Sequence, residues 1–137
     1  ALIACLEEAE KFGVNLVLEP INRYETNWIN TIQQGLMLIE KIGKPNLKLL
    51  PDTFHMNIEE PDISQSIKKA GNQIGYMHFG DSNRRAPGMG HTNFAAVIQA
   101  LCQAGYNGVI TSEIYPLPTD LEAMQQTSGY LKGLLKS

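Results

Sequence analysis

Residues 47–55 read Leu-Lys-Leu-Leu-Pro-Asp-Thr-Phe-His, a short apolar run that ends in a carboxylate. The apolar residues are nearly continuous rather than alternating, which is typical of a strand with both faces covered in a parallel sheet. A helical pattern follows, from Asp62 through Ile63 and Ile67 to a terminating Gly71. A strand followed by an amphipathic helix is the repeating unit of α/β proteins, so this stretch indicates the fold class.

The same unit occurs four times along the chain. Apolar runs at 15–19, 47–52, 74–78 and 109–113 begin about 30 residues apart, the length of a strand with a returning helix. The predicted order is α-βα-βα-βα-βα, with residues 1–137 forming a single domain.

Residues typical of helix N-termini are Thr31 with Gln34, Asp62, Asn93, and Thr119 with Glu122. The first helix is expected to bury Leu2, Ile3, Leu6 and Phe12, and the last Leu121, Met124, Leu131 and Leu134 or Leu135.

Four βα units amount to half of an eight-stranded TIM barrel. Four parallel strands do not close by themselves, and an open half leaves two unpaired edges that invite association. We therefore expect the barrel to be completed by a missing N-terminal half or by dimerisation, and a homo-oligomer is favoured. The start at Ala1 without Met is compatible with an absent N-terminal part. A short open α/β sheet is the remaining alternative.

The composition limits the classes of function. The chain has 137 residues and is 43% hydrophobic and 18% charged, enough for one packed core. A net charge of −3 without a basic cluster argues against a nucleic-acid partner. Neither a secretory signal nor an apolar run of about 18 residues is visible, so no membrane association is predicted. Cys5 and Cys102 fall in helical patterns and are predicted to be core residues rather than a disulfide, which favours a reducing, cytoplasmic location.

Four potential metal ligands lie at the ends of the four predicted strands: Glu19, Asp52, His78 and Glu113. The carboxyl ends of parallel strands meet on one face of a β/α array, so these side chains are expected to converge. A lone glutamate at such a position is more often a helix cap or part of a loop salt bridge. Four in succession favour a divalent-metal site, and an oxygen-rich set with one nitrogen suits Mn²⁺, Mg²⁺ or Co²⁺.

The segment 80–92 is a polar loop rich in glycine and arginine that follows the third strand. Loops at this end of a strand commonly face the substrate. Within the loop, Asp81 is expected either to support His78 or to lie in solvent.

The local sequences around the four ligands resemble one enzyme group. They are Glu19-Pro-Ile-Asn-Arg-Tyr-Glu25, Asp52-Thr-Phe-His-Met-Asn-Ile-Glu-Glu60, His78-Phe-Gly-Asp-Ser-Asn-Arg84 and Ser112-Glu-Ile-Tyr115. Together they resemble the ketose 3-epimerases of the D-tagatose and D-psicose type, in the xylose isomerase-like superfamily of TIM barrels. The run 52–60 is specific to the epimerase group, whereas Glu-Pro and the Pro-Gly-x-Gly-His loop are broader features. The resemblance covers nearly the whole chain and matches the C-terminal half of the barrel, strands five to eight.

The resemblance implies a role for each matching residue. Glu19, Asp52, His78 and Glu113 look like the metal ligands, with Mn²⁺ as the first choice, and Glu19 and Glu113 also look like the acid/base pair. Glu25, His55 and Arg84 look like substrate-binding residues that hold the O1–O3 end of a sugar. The implied activity is a metal-dependent epimerisation of a free ketose at C3. The family's first four strands have no counterpart in these residues, so whether this chain alone is active is left open.

The chemistry of the reaction agrees with these roles. Epimerisation at C3 requires one carboxylate to remove a proton and a second to return one to the opposite face. A cation on O2 and O3 of the sugar polarises the carbonyl and stabilises an enediolate. Another sugar or sugar-phosphate isomerase of the superfamily stays an alternative, because Arg84 and Arg85 suit a phosphate. So does a non-catalytic half-barrel that binds metal or self-associates. An endonuclease of the superfamily would need more metal ligands and a basic surface.

Overall fold

The computed structural model of the protein describes residues 1–135, in which α-helices and short strands alternate. Helix α1 (Leu2–Glu10) precedes β1 (Leu16–Leu18), and α2 (Ile32–Ile42) precedes β2 (Leu47–Leu49). Two helices, α3 (Thr53–Glu59) and α4 (Ile63–Ala70), and a 3₁₀ turn (Gly71–Gln73) lead to β3 (Met77–Phe79). Helix α5 (Phe94–Gln103), strand β4 (Ile110–Ser112) and helix α6 (Asp120–Leu134) follow. The predicted alternation of strands and helices is confirmed, with α3 as an additional helix.

The strands are parallel and lie side by side in chain order. Strand β1 pairs with β2 through Leu16↔Leu47 and Leu18↔Leu49, and β3 pairs with β4 in the same manner. Two isolated bridges, Leu49↔Ile74 and Asp52↔His78, join β2 to β3. The second bridge sets two of the predicted metal ligands next to each other across the sheet.

The two faces of the sheet differ in their burial. Leu49 and Phe79 point toward the helices and are fully buried, whereas Val17, on the opposite face, is 42% exposed. The expectation that both faces are covered is therefore wrong for residues 1–135. The core lies between the sheet and the helices and includes Leu6, Ile32, Ile39, Leu47, Leu49, Ile67, Met77, Phe79, Phe94, Val97 and Leu101.

The helix N-termini form where the sequence places them. Thr31 and Gln34 form the reciprocal capping box of α2, and Gly43 ends that helix in the left-handed conformation, with φ of 67°. The side chains of Asp62, Asn93 and Thr119 accept hydrogen bonds from the first turns of α4, α5 and α6. These caps satisfy backbone N–H groups that have no partner within the helix.

Helix α3 is not visible in the periodicity of the sequence. Asp52 begins it by accepting a hydrogen bond at 2.8 Å from the backbone N–H of Phe54. The helix has only seven residues, too short for an apolar stripe to be recognised. The segment after β2 is therefore helical, and His55 on it lies near the strand ends, with its Nε2 4.0 Å from Asp52 Oδ2.

Several apolar residues in or directly after the first and last helices are exposed. Ile3 and Phe12 are predicted to be buried but are 52% and 74% exposed, and Leu121, Met124 and Leu135 are also exposed. These helices precede the first strand and follow the last, so within residues 1–135 no neighbouring βα unit covers their outer sides. Leu131 and Leu134 do pack against the core.

Both cysteines are free thiols and both are exposed, so the prediction that Cys5 and Cys102 are core residues is wrong. Their helices have apolar faces, but each thiol lies on the side that faces away from the core. None of the helices in residues 1–135 has the length and apolar character needed to cross a membrane.

Candidate functional site

The four predicted metal ligands converge at the carboxyl ends of the strands. Glu19 follows β1, Asp52 follows β2, His78 lies in β3 and Glu113 follows β4. One ligand atom from each lies within 4.8 Å of all the others. Four residues far apart in the sequence form one cluster because the strands are parallel and end at the same edge.

Ligand atoms of this cluster lack hydrogen-bond partners. Glu19 Oε1, Asp52 Oδ2 and His78 Nδ1 are buried, and none of them has a hydrogen bond within the part of the chain that the structure describes. His78 Nδ1 nevertheless lies 2.7 Å from Glu113 Oε2 and 3.5 Å from Glu19 Oε1. Buried polar atoms without partners are costly, and a cation among these atoms would satisfy them together.

The electrostatics of the cluster also fit a cation. Burial, followed by the charge of Glu113, raises the pKa of Glu19 to about 7. Burial likewise raises the pKa of Asp52 to about 7, although its hydrogen bond from Phe54 works in the opposite direction. Three carboxyl groups and one imidazole match the preference of hard divalent cations for oxygen-rich sites. The residues present therefore fit a divalent metal ion.

Arg84 reaches the cluster from the loop 80–92. Its guanidinium donates hydrogen bonds to Glu113 Oε1 and, at 3.2 Å, to Glu25 Oε1, and it lies 4.8 Å from the ring centroid of Phe54. Burial disfavours the charged guanidinium, but the hydrogen bond and charge of Glu113 outweigh it and raise the pKa of Arg84. The backbone of Arg84 has φ of 58°, an uncommon conformation for a non-glycine residue.

His55 lies on helix α3, next to Asp52 of the cluster. It is 2% exposed, and its Nε2 lies 4.0 Å from Asp52 Oδ2. Burial lowers the pKa of His55, which favours a neutral imidazole at pH 7. All seven predicted site residues thus lie in or beside one cluster, and the structure separates none of them from it.

Asp81 organises the loop that carries Arg84. Its Oδ1 accepts hydrogen bonds from the backbone N–H groups of Ser82 and Thr92, and its Oδ2 accepts one from Gly88. Burial alone raises its pKa, but these backbone donors outweigh burial and hold the pKa of Asp81 below its ordinary value. Asp81 is fully buried, so the expectation that it lies in solvent is wrong, and the hydrogen bonds of its side chain come from backbone N–H groups of the loop.

Thr53 and Gly80 join α3 to the end of β3. The Thr53 hydroxyl donates to the carbonyl oxygen of Gly80 at 2.7 Å and accepts from its N–H at 3.0 Å. A Cβ at position 80 would lie 2.9 Å from the carbonyl oxygen of Glu113 and 3.2 Å from Cβ of Phe54. Glycine is therefore needed where the backbones that carry Asp52, His78 and Glu113 approach each other.

Comparison with known proteins identifies the family. Residues 1–133 match the sequence profile of the family described as xylose isomerase-like TIM barrel. The chain belongs to this family. L-ribulose 3-epimerase from Mesorhizobium japonicum is 45% identical over 115 residues, which cover 84% of this chain and 39% of the relative. D-psicose 3-epimerase from Ruminiclostridium cellulolyticum is 42% identical over 105 residues, covering 77% of this chain and 36% of the relative.

A solved structure of an L-ribulose 3-epimerase superposes on the protein with a TM-score of 0.92 and 34% sequence identity. The superposition covers 98% of this chain and 52% of that structure. The expected half of a TIM barrel is therefore confirmed, as is the resemblance to ketose 3-epimerases. The chain spans 39% and 36% of the two curated relatives, so what completes the barrel stays a prediction.

Three residues of this TIM-barrel family member were missed as parts of the site: Asn22, Thr53 and Gly80. Asn22 is 1% exposed and contacts both Glu25 and His55. Gly80 directly follows β3 and opens the loop 80–92, where glycine is common in turns, so no signal in the sequence distinguished its close backbone approach. Asn22 and Thr53 are residue types common in turns and caps, so no local pattern predicted their burial.

Proposed function

We propose that the protein is a divalent-metal-dependent sugar epimerase that inverts C3 of a free ketose. The observation that carries the proposal is the cluster of Glu19, Asp52, His78 and Glu113, four ligand atoms within 4.8 Å, flanked by Arg84 and His55. The relatives named as L-ribulose and D-psicose 3-epimerases support the reaction class.

In this proposal Glu19, Asp52, His78 and Glu113 hold the metal ion, with Mn²⁺ preferred and Mg²⁺ or Co²⁺ as alternatives. A bound divalent cation supplies Lewis-acid polarisation of substrate oxygens. The unpaired buried atoms of Glu19, Asp52 and His78 support the assignment. Burial, and after it the charge of neighbouring carboxylates, raises the pKa values of Glu19 and Asp52, and a cation would stabilise both groups in their ionised form.

Glu19 and Glu113 are the proposed acid/base pair. They extend from β1 and β4, the first and last strands of the described sheet, so they approach the cluster from opposite sides. One carboxylate removes the C3 proton and the other returns a proton to the opposite face of the carbon, which inverts its configuration.

Glu25, His55 and Arg84 are the proposed substrate-binding residues. Arg84 is anchored by Glu25 and Glu113, which aims its charged donors at the place where negative charge develops on the sugar oxygens. His55 and Glu25 provide neutral and anionic partners for hydroxyl groups. A sugar hydroxyl pattern needs several such partners to fix its orientation before proton transfer.

Proton exchange at C3 tests the proposal. The purified protein loaded with Mn²⁺ is incubated in D₂O with several ketohexoses and pentuloses, and the products are followed by NMR. We expect the C3 epimer to form and deuterium to enter at C3. An aldose product would favour the alternative of an aldose–ketose isomerase, and a requirement for a phosphorylated sugar would favour a sugar-phosphate isomerase. If no ketose shows either exchange at C3 or an epimer product, the result would rule against the epimerase.

The exposed edges favour a second role beside the first, which is self-association. Among the described strands, β1 and β4 are the outer ones, and each has one unpaired edge that can pair with another strand. Val17 on β1 and Val109 and Ile110 at β4 add apolar surface there, with exposed fractions of 42%, 57% and 39%. We propose that the 137-residue chain forms homo-oligomers through these edges. Its mass in solution, measured by light scattering, is expected to be at least that of a dimer, and a clean monomer would contradict the proposal.

A further inference from the structure

Asn22 is a buried polar residue between two of the residues proposed to bind substrate. Its exposed fraction is 1%, and it lies four residues after β1. The side-chain amide contacts Glu25 on one side and His55 on the other. A buried amide retains its hydrogen-bonding requirements, so each of its contacts constrains the partner.

Two contacts fix the orientation of the amide. The backbone N–H of Tyr24 donates to Asn22 Oδ1 at 2.9 Å, and Asn22 Nδ2 donates to Glu25 Oε1 at 2.8 Å. A backbone N–H only donates and a carboxylate oxygen only accepts. Exchanging the oxygen and nitrogen of Asn22 would therefore place donor against donor and acceptor against acceptor.

The second hydrogen of Asn22 Nδ2 is left for His55. Nδ2 lies 2.8 Å from His55 Nδ1, and the backbone N of Asn22 lies 3.4 Å from the same ring atom. Two N–H groups aimed at one ring nitrogen require a lone pair on it. A neutral imidazole with a lone pair on Nδ1 carries its proton on Nε2.

We propose that Asn22 is a positioning residue that holds His55 in the tautomer with the proton on Nε2. The Nε2–H then points to the side of Asp52, whose Oδ2 is 4.0 Å away. His55 consequently presents a hydrogen-bond donor, not an acceptor, to the cluster. If the proposed function holds, the sugar atom that meets His55 is an oxygen that accepts a hydrogen bond. The tautomer itself does not depend on the proposed function.

Nitrogen NMR tests the inference on the purified chain without requiring activity. The whole protein is labelled with ¹⁵N, and the signals of its three histidines are assigned with His78→Asn and His91→Asn variants. In the wild type we expect the chemical shifts of an unprotonated Nδ1 and a protonated Nε2 for His55. We also expect a coupling through the hydrogen bond between Asn22 Nδ2 and His55 Nδ1. A proton on Nδ1 in the wild type would overturn the proposal.

The Asn22→Leu variant gives a second measurement. Leucine lacks the amide donor, so the substitution is expected to remove the coupling. It should also shift the His55 Nδ1 resonance toward that of an unprotonated nitrogen that accepts no hydrogen bond from a side chain. Asn72→Leu, at an exposed position in the 3₁₀ turn, serves as the control and leaves both signals unchanged. A purely structural role for Asn22 predicts a His55 Nδ1 resonance that does not change in Asn22→Leu, and that outcome would also overturn the proposal. Should Asn22→Leu fail to fold, the wild-type spectrum alone decides the tautomer.

Discussion

Glu113 is the residue in which the two parts of the candidate site meet. One of its carboxylate oxygens lies 2.7 Å from His78 Nδ1 in the metal-ligand cluster, and the other accepts a hydrogen bond from Arg84. A single carboxylate thus contacts both the proposed metal site and Arg84, the cationic side chain proposed to bind substrate. Substitutions at Glu113 and Arg84 separate these two functions.

Glu113→Gln is expected to weaken Mn²⁺ binding about tenfold or more, a loss of roughly 1.4 kcal/mol, because the amide keeps the size of the side chain but removes its charge. Isothermal titration calorimetry measures the affinity. Glu8→Gln, an exposed glutamate on α1, is the matched control and should bind Mn²⁺ as the wild type does. An unchanged affinity in Glu113→Gln would remove Glu113 from the set of ligands.

Arg84→Ala is expected to lower kcat/KM about 100-fold or more while Mn²⁺ affinity changes little, because Arg84 contacts Glu113 and Glu25 but contributes no metal ligand. Steady-state kinetics and calorimetry measure the two quantities. Arg85→Ala, an exposed neighbour in the same loop, should retain activity. Equal losses in turnover and metal affinity would show that Arg84 acts through the metal site instead.

At the scale of elements, the loop 80–92 is shaped from inside by one buried carboxylate. Asp81 accepts three backbone hydrogen bonds from Ser82, Gly88 and Thr92, and its own carbonyl oxygen accepts from the N–H of Arg84 at 2.8 Å. Tyr115 then donates to the carbonyl oxygen of Arg84 at 2.7 Å, which ties the loop to the segment after β4. The position of Arg84 therefore depends on backbone contacts that exist without a ligand.

Asp81→Asn is expected to lower the free energy of unfolding by about 1–3 kcal/mol at pH 7, because the amide nitrogen faces backbone donors. The pKa of Asp81 is lowered on folding, so the ionised carboxylate contributes stability above its unfolded pKa, about 4. That contribution is lost as the pH falls through the lower folded pKa. Urea unfolding should therefore show a smaller difference between variant and wild type near pH 3 than at pH 7.

Asp120→Asn is the control for this measurement. Asp120 is exposed at the start of α6, and its substitution should change stability by no more than about 0.5 kcal/mol. A difference between Asp81→Asn and the wild type that stays the same from pH 7 to pH 3 would contradict an ionised Asp81.

At the scale of the whole molecule, the proposed metal site takes one ligand from the region of every strand. Among residues 1–135, the ladders between strands are only three residues long, and the contact between β2 and β3 consists of isolated bridges. Three buried or half-buried carboxyl groups also repel each other at the strand ends. A cation would replace this repulsion with attraction across the sheet.

Mn²⁺ is accordingly expected to stabilise the fold. At a concentration 100 times its Kd, a ligand specific to the folded state adds about 2.7 kcal/mol, which should raise the melting temperature by roughly 10 °C. Differential scanning calorimetry with and without EDTA measures the change. Glu113→Gln should show a smaller increase. A melting temperature that is insensitive to Mn²⁺ and to EDTA would argue against a site shared by the four strands.

The sequence predicts those features that depend on neighbours along the chain. Apolar runs show where strands end, so the positions of Glu19 and Glu113 at the strand ends could be predicted. The caps Thr31 and Asn93 could be predicted because they depend on local hydrogen bonding. The burial of Asn22 and Asp81 depends on segments distant in the sequence and has no local pattern. The exposure of Phe12 and Cys102 was missed for a related reason, since an apolar or helical pattern does not say whether a neighbouring element covers it.

The paired hydrogen bonds between Thr53 and Gly80 have a consequence for folding fidelity. A slip of β3 by one residue would present Phe79 or Asp81 to the Thr53 hydroxyl, and either would put a Cβ where only glycine avoids the carbonyl oxygen of Glu113. The same slip would turn His78 from the ligand cluster toward the helices, because side chains alternate along a strand. Thr53 and Gly80 therefore disfavour a shifted register of β3, an effect on folding that is separate from the proposed chemistry.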